Sequence, residues 1–298
     1  MQKCGICGYE AHLAHAFTYT SEDDARHSAS CALCGSTYLQ AHSWSSGACS
    51  ACALEAVTLR IEADGTASAL VRSLPDAEAG TVTLKLLDGT AAQVTLLEQA
   101  LRTLPEDAAP LRVETALGTV RLTRDALDAL RTQPGCILRL EQTEPEPGAV
   151  RVVLTLTDAA GNALTLPDGT AELIVSVPEN DPETERWLFF TVQGAQKTSL
   201  PLAPADGKIT LSVTGSGVWE RLRLECRIAD GIVTLTCAGL PRNVLVLLAG
   251  TENGGRLTFA QTPQAVDGET FRAGLPEGQT RCRVYVLRGD LTPLCEPF

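Results

Sequence analysis

Cysteine and histidine side chains are concentrated in one short segment of the chain, residues 4–52. The segment contains three Cys-x-x-Cys pairs, and no histidine follows residue 42. Thiolate sulfur and imidazole nitrogen are the ligands that zinc prefers, and a Cys-x-x-Cys turn directs two sulfurs at one ion. The sequence therefore predicts an N-terminal zinc module. The candidate groups are Cys4, Cys7, His12, His15, His27, Cys31, Cys34, His42, Cys49 and Cys52.

These ten groups exceed the eight ligands that two tetrahedral zinc ions require, so we expect two structural ions. One partition joins His15, His27, Cys31 and Cys34, and leaves Cys4, Cys7, Cys49 and Cys52 (or His42) for the second ion. The other joins Cys31, Cys34, Cys49 and Cys52, and leaves Cys4, Cys7 and two histidines. Spacing alone does not choose between them. The six sulfurs are the firmest candidates, followed by His15, His27 and His42, whereas His12 is expected to be a bystander.

Two other interpretations of the cysteine pairs are less consistent with the sequence. A thioredoxin-like redox pair follows a strand and begins a helix in a βαβ unit, and no such unit surrounds these pairs. Disulfides would leave the interleaved histidines unexplained. A segment of about 50 residues also has too little core to fold without its metal, which favours structural over catalytic zinc.

The residues between the pairs indicate how the ligands are positioned. Residues 17–20 alternate as a strand, residues 21–24 form a polar turn, and residues 26–30 form a returning strand that leads to Cys31. A glycine follows Cys7 and Cys34, where a tight turn often needs positive φ, but Ala53 follows the third pair. The pattern predicts a zinc-ribbon layout in residues 1–55.

The run "HAFTYTSEDDARHSASCALCGSTYLQAHSWSSGACSAC" resembles a Cys/His repeat of modular secreted or cell-envelope proteins of anaerobic Gram-positive bacteria. The likeness spans about 40 residues and includes the motif H-x-x-x-C-x-x-C-G and the trailing H-x-W. It implies that His15, His27, Cys31, Cys34, His42, Cys49 and Cys52 belong to a repeated zinc-ribbon-like module that lies between β modules.

Residues 56–222 are predicted to form a β-rich middle domain with two short helices. Asp-Gly occurs six times in the chain from Asp64 onward, mostly between alternating runs, which indicates β-hairpins. Residues 94–104 and 120–130 are a short repeat in which a strand leads into helical spacing. Thr123 is suited to cap the second helix. The repeat predicts a duplicated strand–helix unit.

Residues 223–298 are predicted to form an immunoglobulin-like β-sandwich, because short strands recur between Gly, Pro and Asn turns. The runs "VTLTCAGLPRNVLVLLAG" and "VYVLRGDLTPLC" resemble a C-terminal module of the same envelope proteins. Cysteines outside the pairs are expected to be buried thiols, although one disulfide is possible in an exported chain. They are Cys136, Cys226, Cys237, Cys282 and Cys295.

Composition limits the function classes. The net charge is −12 with a pI near 4.8, and residues 1–55 carry two basic against five acidic residues, so nucleic-acid binding is not expected. No apolar run is long enough to span a membrane. There is no Walker, dinucleotide, G-x-S-x-G or H-E-x-x-H motif, and the β domains contain no histidine for acid–base catalysis.

We therefore expect a non-catalytic structural or binding protein, not an enzyme. The first hypothesis is a part of a bacterial envelope or secreted assembly, with an envelope component or another protein as partner. The alternative is a cytoplasmic adaptor whose zinc module docks a protein partner. An export signal upstream of Met1 would favour the first hypothesis, and a native start at Met1 the second. The sequence does not give the oligomeric state.

Overall fold

A computed structural model describes the chain from residue 2 to residue 298 apart from several short gaps. The gaps are residues 4–9, 12–15, 79, 105–107, 180, 182–183, 201, 203, 242–243, 252–256, 266–269, 278 and 280–281. The described residues form mainly β-strands, as the sequence predicts, together with two short helices. The candidate ligands Cys4, Cys7, His12 and His15 lie outside the described residues.

The strands up to the second helix are, in chain order, β1 (Gln2–Lys3), β2 (Glu10–Ala11), β3 (Phe17–Ser21), β4 (Arg26–Cys31), β5 (Thr37–Ala41), β6 (Trp44–Ser45), β7 (Ala48–Cys49), β8 (Val57–Ile61), β9 (Thr66–Val71), β10 (Val82–Leu86), β11 (Ala91–Leu96), β12 (Leu111–Thr115) and β13 (Gly118–Leu122). The helices are α1 (Glu98–Arg102) and α2 (Arg124–Leu130). The later strands are β14 (Cys136–Glu146), β15 (Ala149–Thr157), β16 (Ala171–Ser176), β17 (Glu185–Gln193), β18 (Gln196–Leu200), β19 (Lys208–Val213), β20 (Gly217–Ala229), β21 (Ile232–Thr236), β22 (Val244–Thr251), β23 (Leu257–Gln261), β24 (Gln264–Ala265), β25 (Thr270–Gly274) and β26 (Arg283–Arg288).

The chain divides into two compact units that alternate along the sequence. Unit 1 comprises residues 1–139, 156–172 and 212–215, and unit 2 comprises residues 140–155, 173–211 and 216–298. The predicted domain boundaries, at 55/56 and at 222/223, remain predictions.

The N-terminal part of unit 1 contains a three-stranded antiparallel sheet in the order β3-β4-β5. The central strand β4 pairs on both sides, so that Ala29 lies opposite Tyr19 and Tyr38 and is fully buried. The outer strands β3 and β5 remain half-buried or exposed. The strand–turn–strand prediction for residues 17–30 is confirmed, and the small core shows how little apolar packing this sheet has.

The remainder of unit 1 contains the duplicated strand–helix unit. Strand β11 leads into α1 and then β12, and β13 leads into α2 and then β14. The hydroxyl of Thr123 accepts a hydrogen bond from the Ala126 amide at 3.4 Å, as predicted for the cap of α2. Both helices bury apolar residues, which are Ala100, Leu101, Ala126, Leu127 and Leu130.

Not every Asp-Gly dipeptide closes a hairpin. Asp64-Gly65 joins the antiparallel pair β8–β9, as predicted. Asp88-Gly89 instead connects strands that do not pair, because β10 pairs in parallel with β12 and β11 pairs in parallel with β9. Gly89 has φ of +117° and lies against the first turn, where a Cβ would be 2.8 Å from the Gly65 carbonyl oxygen. Glycine at this position permits close backbone approach, so the hairpin prediction there is wrong.

Unit 2 has two groups of strands around one core. Strand β20 pairs with β15, β17 and β21, and β21 continues to β25, whereas β22 pairs with β23 and β26. Residues from both groups share a hydrophobic cluster, including Leu222 of β20 and Leu248 of β22. Both groups of strands therefore contribute to one core, and the immunoglobulin-like sandwich remains a prediction.

A charged cluster is also buried in unit 2. The Glu220 carboxylate is fully buried and accepts hydrogen bonds from Arg151 at 2.7 and 3.1 Å and from Lys197. Lys197 also donates to the Gly239 carbonyl oxygen at 2.9 Å. We call Glu220, Arg151 and Lys197 the Glu220 cluster. Its negative charge is balanced entirely by side chains of the same chain.

Among the residues that the structure describes, no helix has the length and apolar character needed to cross a bilayer.

Candidate metal centre

Two histidines and two cysteines converge in the N-terminal module. His27 lies on β4, His42 directly follows β5, Cys49 ends β7, and Cys52 completes the turn after it. Their ligand atoms all lie within 4.8 Å of one another. We call these four residues the metal cluster.

The distances within the metal cluster match a tetrahedral zinc site. The Nδ1 atoms of His27 and His42 are 3.3 Å apart, and the sulfur–nitrogen distances are 3.7 Å from Cys49 to His27 and 3.4 Å from Cys52 to His42. Zinc bonds of about 2.05 Å to nitrogen and 2.3 Å to sulfur, at tetrahedral angles, place nitrogens about 3.3 Å apart and nitrogen and sulfur about 3.6 Å apart. These three of the six distances within the set therefore suit one metal ion.

His42 is oriented by a second contact. Its Nε2 atom lies 3.0 Å from the backbone carbonyl oxygen of Asp23, in the turn between β3 and β4. Since a carbonyl can only accept, Nε2 carries the proton and Nδ1 has a free lone pair directed into the metal cluster. A ligating histidine typically donates its other ring N–H in this way, which fixes the ring and its tautomer.

His27 is held by burial. It is only 1% exposed, and the edge of its ring meets Tyr19 with the ring centroids 5.4 Å apart. Among the described residues its Nε2 atom has no hydrogen-bond partner. A buried imidazole nitrogen without a partner costs free energy, and metal coordination through Nδ1 would offset that cost.

The third cysteine pair forms a tight turn that presents both sulfurs. The Ala53 amide donates to the Cys49 carbonyl at 3.0 Å, and Ala53 adopts φ of +58°. Gly35, at the same place in the second pair, has φ of +70°. The positive φ expected of the glycine is present at Gly35, and in the third pair an alanine adopts a positive φ as well.

The two thiols of the metal cluster differ in acidity. Burial would raise the pKa of Cys49, but hydrogen bonds from the backbone amides of Cys52 and Ala51 lower that pKa to about 6. Burial, together with the neighbouring Cys49, raises the pKa of Cys52. The two shifts have opposite directions, so Cys49 gives up its proton more readily than Cys52. A divalent cation favours loss of the second proton, since the thiolate is the ligand form.

The turn that orients His42 also attaches the module to the rest of unit 1. The Asp24 carboxylate accepts a hydrogen bond from Nε of Arg72 at 2.6 Å, and its backbone carbonyl accepts one from the Gln99 side chain. Arg72 is only 6% exposed and also donates to the Thr58 hydroxyl at 2.7 Å. Residues 23 and 24 therefore connect the metal cluster to β8, β9 and α1.

Sequence reasoning did not identify these supporting residues. Arg72 directly follows an alternating buried strand, and Asp24 lies in a turn rich in acidic residues. An arginine at the end of a buried run indicates that an acidic partner lies nearby in space. The partner of Arg72 is 48 positions away in sequence. Nothing in the local pattern links the two.

Both predicted partitions of the ligands are wrong about the metal cluster. The first placed His27 with Cys31, but both lie on β4, four residues apart, and an extended strand separates them by about 13 Å. The second placed Cys49 and Cys52 with Cys31 and Cys34. The cross-strand arrangement of β4 and β5 brings His27 and His42 to the third cysteine pair instead.

Cys31 and Cys34 lie at the other end of the β3–β4 pair. Cys31 is opposite Phe17, and the turn after it is closed by hydrogen bonds between Cys31 and both Gly35 and Ser36. This turn is of the type that presents two sulfurs to an ion. The predicted ligands Cys4, Cys7 and His15 fall outside the described residues.

Of the five other cysteines, Cys136, Cys226, Cys282 and Cys295 are free thiols, as are Cys49 and Cys52 of the metal cluster. Burial raises the pKa of Cys136 and of Cys226 to about 12. Both side chains are buried in apolar surroundings, as predicted for thiols that act as small hydrophobic groups.

No protein-family model matches this chain, and no curated protein is significantly similar to it.

Proposed function

We propose that this chain is a non-catalytic structural or binding protein whose N-terminal module is held together by zinc. The observation that carries the proposal is the closed ligand set of the metal cluster. Two nitrogens and two sulfurs lie within 4.8 Å of one another, which supports a four-coordinate site. A catalytic zinc site keeps one position for water or substrate, whereas a structural site is closed.

Zinc is the metal that this donor set favours. Two thiolates and two imidazoles in a tetrahedron suit zinc, while calcium and magnesium require oxygen ligands and Cu(II) favours a square-planar arrangement. The partly exposed strands β3 and β5 leave the module short of apolar packing. The free energy of zinc binding supplies the stability that this small core lacks.

A second zinc ion is part of the proposal. The turn at Cys31 and Cys34 offers two sulfurs at a distance from the metal cluster, and two further ligands would come from Cys4, Cys7 and His15. This division assigns eight groups to two ions and leaves one of those three residues, together with His12, outside the sites.

The protein's setting follows from the resemblance of its Cys/His segment and its β modules to envelope proteins. We propose that it is part of a bacterial envelope or secreted assembly, in which the zinc module and the β units act as rigid parts that bind an envelope component or another protein. Its negative net charge makes nucleic acid an unfavourable partner.

One observation favours the alternative, a cytoplasmic adaptor whose zinc module docks a protein partner. Free thiols are the usual state in a reducing compartment, and the structure has them at Cys136, Cys226, Cys282 and Cys295. Sequencing the mature N-terminus of the native protein from separated cytoplasmic and envelope fractions distinguishes the two. A processed export signal upstream of residue 1 supports the envelope role, and a cytoplasmic protein that starts at Met1 supports the adaptor.

Metal-loaded and chelated protein can be compared in a panel of hydrolysis assays to test the non-catalytic role. We expect neither form to turn over ester, peptide, phosphoester or glycoside substrates above the buffer rate. Turnover that requires the metal and disappears in His42→Ala would contradict the closed structural site.

A further inference from the structure

The buried guanidinium of Arg72 contacts two segments that hold ligands of the metal cluster. Arg72 directly follows β9 and is only 6% exposed. Its Nε atom donates to the Asp24 carboxylate at 2.6 Å, and its Nη1 atom donates to the Glu55 carbonyl oxygen at 3.3 Å and to the Thr58 hydroxyl at 2.7 Å. Asp24 lies in the turn between β3 and β4, and Glu55 lies shortly after the third cysteine pair. One side chain therefore joins two parts of the module that are distant in sequence.

The first of these segments, the turn that contains Asp24, holds both the backbone and the ring of His42. The His42 amide donates to the Ala25 carbonyl oxygen at 3.1 Å, and its Nε2 atom lies 3.0 Å from the Asp23 carbonyl oxygen. The Asp23 carboxylate closes the turn, since it accepts hydrogen bonds from the amides of Ala25 and Arg26 at 2.8 and 2.7 Å. Asp24 lies between the two residues that contact His42. A contact that fixes Asp24 therefore also fixes the position of the His42 ring.

The second segment follows the third cysteine pair and is hydrogen-bonded to the turn that presents the two sulfurs. The Cys49 amide donates to the Leu54 carbonyl oxygen at 2.8 Å, directly before Glu55. The backbone amide of Arg72 donates to the Ala56 carbonyl oxygen at 2.8 Å, directly after Glu55. The main chain and the side chain of Arg72 therefore both hold the segment that supports the cysteine turn.

We propose that Arg72 is a positioning residue of the metal centre, which sets the separation between His42 and the two cysteine ligands. The inference rests on the proposed zinc-binding role and adds a residue that controls the affinity of that site. A guanidinium is planar and its N–H groups have fixed directions, so it can hold two segments at one spacing. Zinc requires its four ligands at short, well-defined distances, so a shift of one side of the site against the other weakens binding.

Burial gives the contact between Arg72 and Asp24 its strength. A guanidinium that is removed from water needs an anionic partner, and loss of that partner leaves an uncompensated charge. The Asp24 carboxylate supplies the negative charge, and its side chain is 48% exposed. Metal binding and this ion pair both favour the same position of the turn. By linkage, each strengthens the other by the same factor.

Competition with a chromogenic chelator, using the full chain, measures the effect on zinc affinity. Arg72→Met and Asp24→Asn should each weaken the binding of one zinc ion about tenfold to a hundredfold, as is typical for residues that orient metal ligands. The double variant should lose little more than either single variant, because both substitutions remove the same contact. Arg121→Met is the control, since it breaks an ion pair with Glu172 in the same unit and should leave zinc affinity unchanged.

Urea denaturation separates positioning from general stabilisation. If Arg72 positions the site, Asp24→Asn raises the unfolding equilibrium constant more in zinc-loaded than in chelated protein, by the factor lost in zinc affinity. An equal rise in the two forms would overturn the proposal, as would variants that bind zinc like wild type. Should Arg72→Met fail to fold, Asp24→Asn alone decides the result. A wild-type chain that binds no zinc overturns the proposed function as well, whereas zinc binding that neither variant weakens overturns only the positioning role.

Discussion

The metal cluster of unit 1 and the Glu220 cluster of unit 2 both bury polar side chains, but they differ in where the balancing charge comes from. Glu220 has two cations of its own chain, Arg151 and Lys197, in direct contact. The metal cluster brings together two sulfurs and two imidazole nitrogens and has no cationic side chain within the set. The charge of Glu220 is balanced within the folded chain. The ligand atoms of the metal cluster need a bound cation to be satisfied.

The comparison shows that burial alone does not identify a binding site. A buried carboxylate is unusual in a protein. In unit 2, however, the Glu220 carboxylate is paired with two cationic side chains of its own chain. Such networks stabilise a fold only while every member is present, because removing one leaves an uncompensated charge. The metal cluster stands out because four potential ligand atoms, two nitrogens and two sulfurs, lie within 4.8 Å of one another.

Removal of the metal should produce the largest difference between the two clusters. Structural zinc contributes about 10–16 kcal/mol of binding free energy in small zinc modules. We expect a strong chelator to abolish hydrogen-exchange protection of the amides in β3, β4 and β5, while protection in β20 and β21 persists. Exchange measured by mass spectrometry checks this. Equal protection of β4 with and without chelator would show that the module does not depend on a metal.

Glu220→Gln should have the next largest effect, in unit 2. The substitution preserves shape but leaves Arg151 and Lys197 near an uncharged amide, which costs about 3 kcal/mol in the free energy of unfolding. Urea denaturation measures it.

The matched control is Glu225→Gln on the same strand, where the partner Arg227 is largely exposed. It should cost less than about 1 kcal/mol. Zinc content should be unchanged in both variants. Equal stability of the two would contradict a buried Glu220 cluster.

Alkaline pH should destabilise the protein through its core thiols. Burial raises the pKa of Cys136 to about 12, above the value of about 8.5 in an unfolded chain. The native state therefore holds the proton more tightly. The contribution of the Cys136 thiol to the free energy of unfolding is complete below about pH 8.5, and it is lost as the pH rises toward the folded pKa.

About one pH unit above 8.5, Cys136 alone should lower the free energy of unfolding by about 1 kcal/mol. Urea denaturation in a pH series compares wild type with Cys136→Ala, which should lose less stability over this window. A variant with the same pH dependence as wild type would contradict the burial of this thiol.

The smallest expected effect concerns the turn that presents the cluster sulfurs. Ala53 has φ of +58°, a conformation that costs an alanine about 1 kcal/mol relative to glycine, partly offset by the entropy of glycine in the unfolded chain. Ala53→Gly should therefore be neutral or stabilise the zinc-bound module by less than about 1 kcal/mol. Gly35→Ala is the reverse test and should destabilise it by a similar amount. Competition with a chromogenic chelator measures both, and a large loss of affinity in Ala53→Gly would be unexpected.

Local features of this fold could be predicted from the sequence, because they depend on neighbouring residues. The strand–turn–strand of residues 17–30 and the cap at Thr123 follow from short-range hydrogen bonding and periodicity. The partition of ligands could not be predicted, since it depends on how far β4 extends and on which residues β5 brings beside it. The parallel pairing of β9 with β11 is likewise set by contacts distant in sequence.

Glu220 shows a signal that could have been used. On β20 the buried positions alternate as Glu220, Leu222, Leu224 and Cys226. A glutamate in the buried phase of an alternating strand predicts a buried partner cation. The sequence does not say which of the chain's 24 lysines and arginines that partner is. Its identity depends on strand pairing across the sheet.

The central claim is that His27, His42, Cys49 and Cys52 hold one zinc ion. Elemental analysis of zinc per chain in Cys49→Ser, beside the matched core variant Cys136→Ser, tests it most directly. We predict that Cys49→Ser loses one zinc ion per chain relative to wild type and that Cys136→Ser retains the full content. Equal zinc content in the two variants, or a wild-type protein purified without zinc and unable to bind it, would contradict the account.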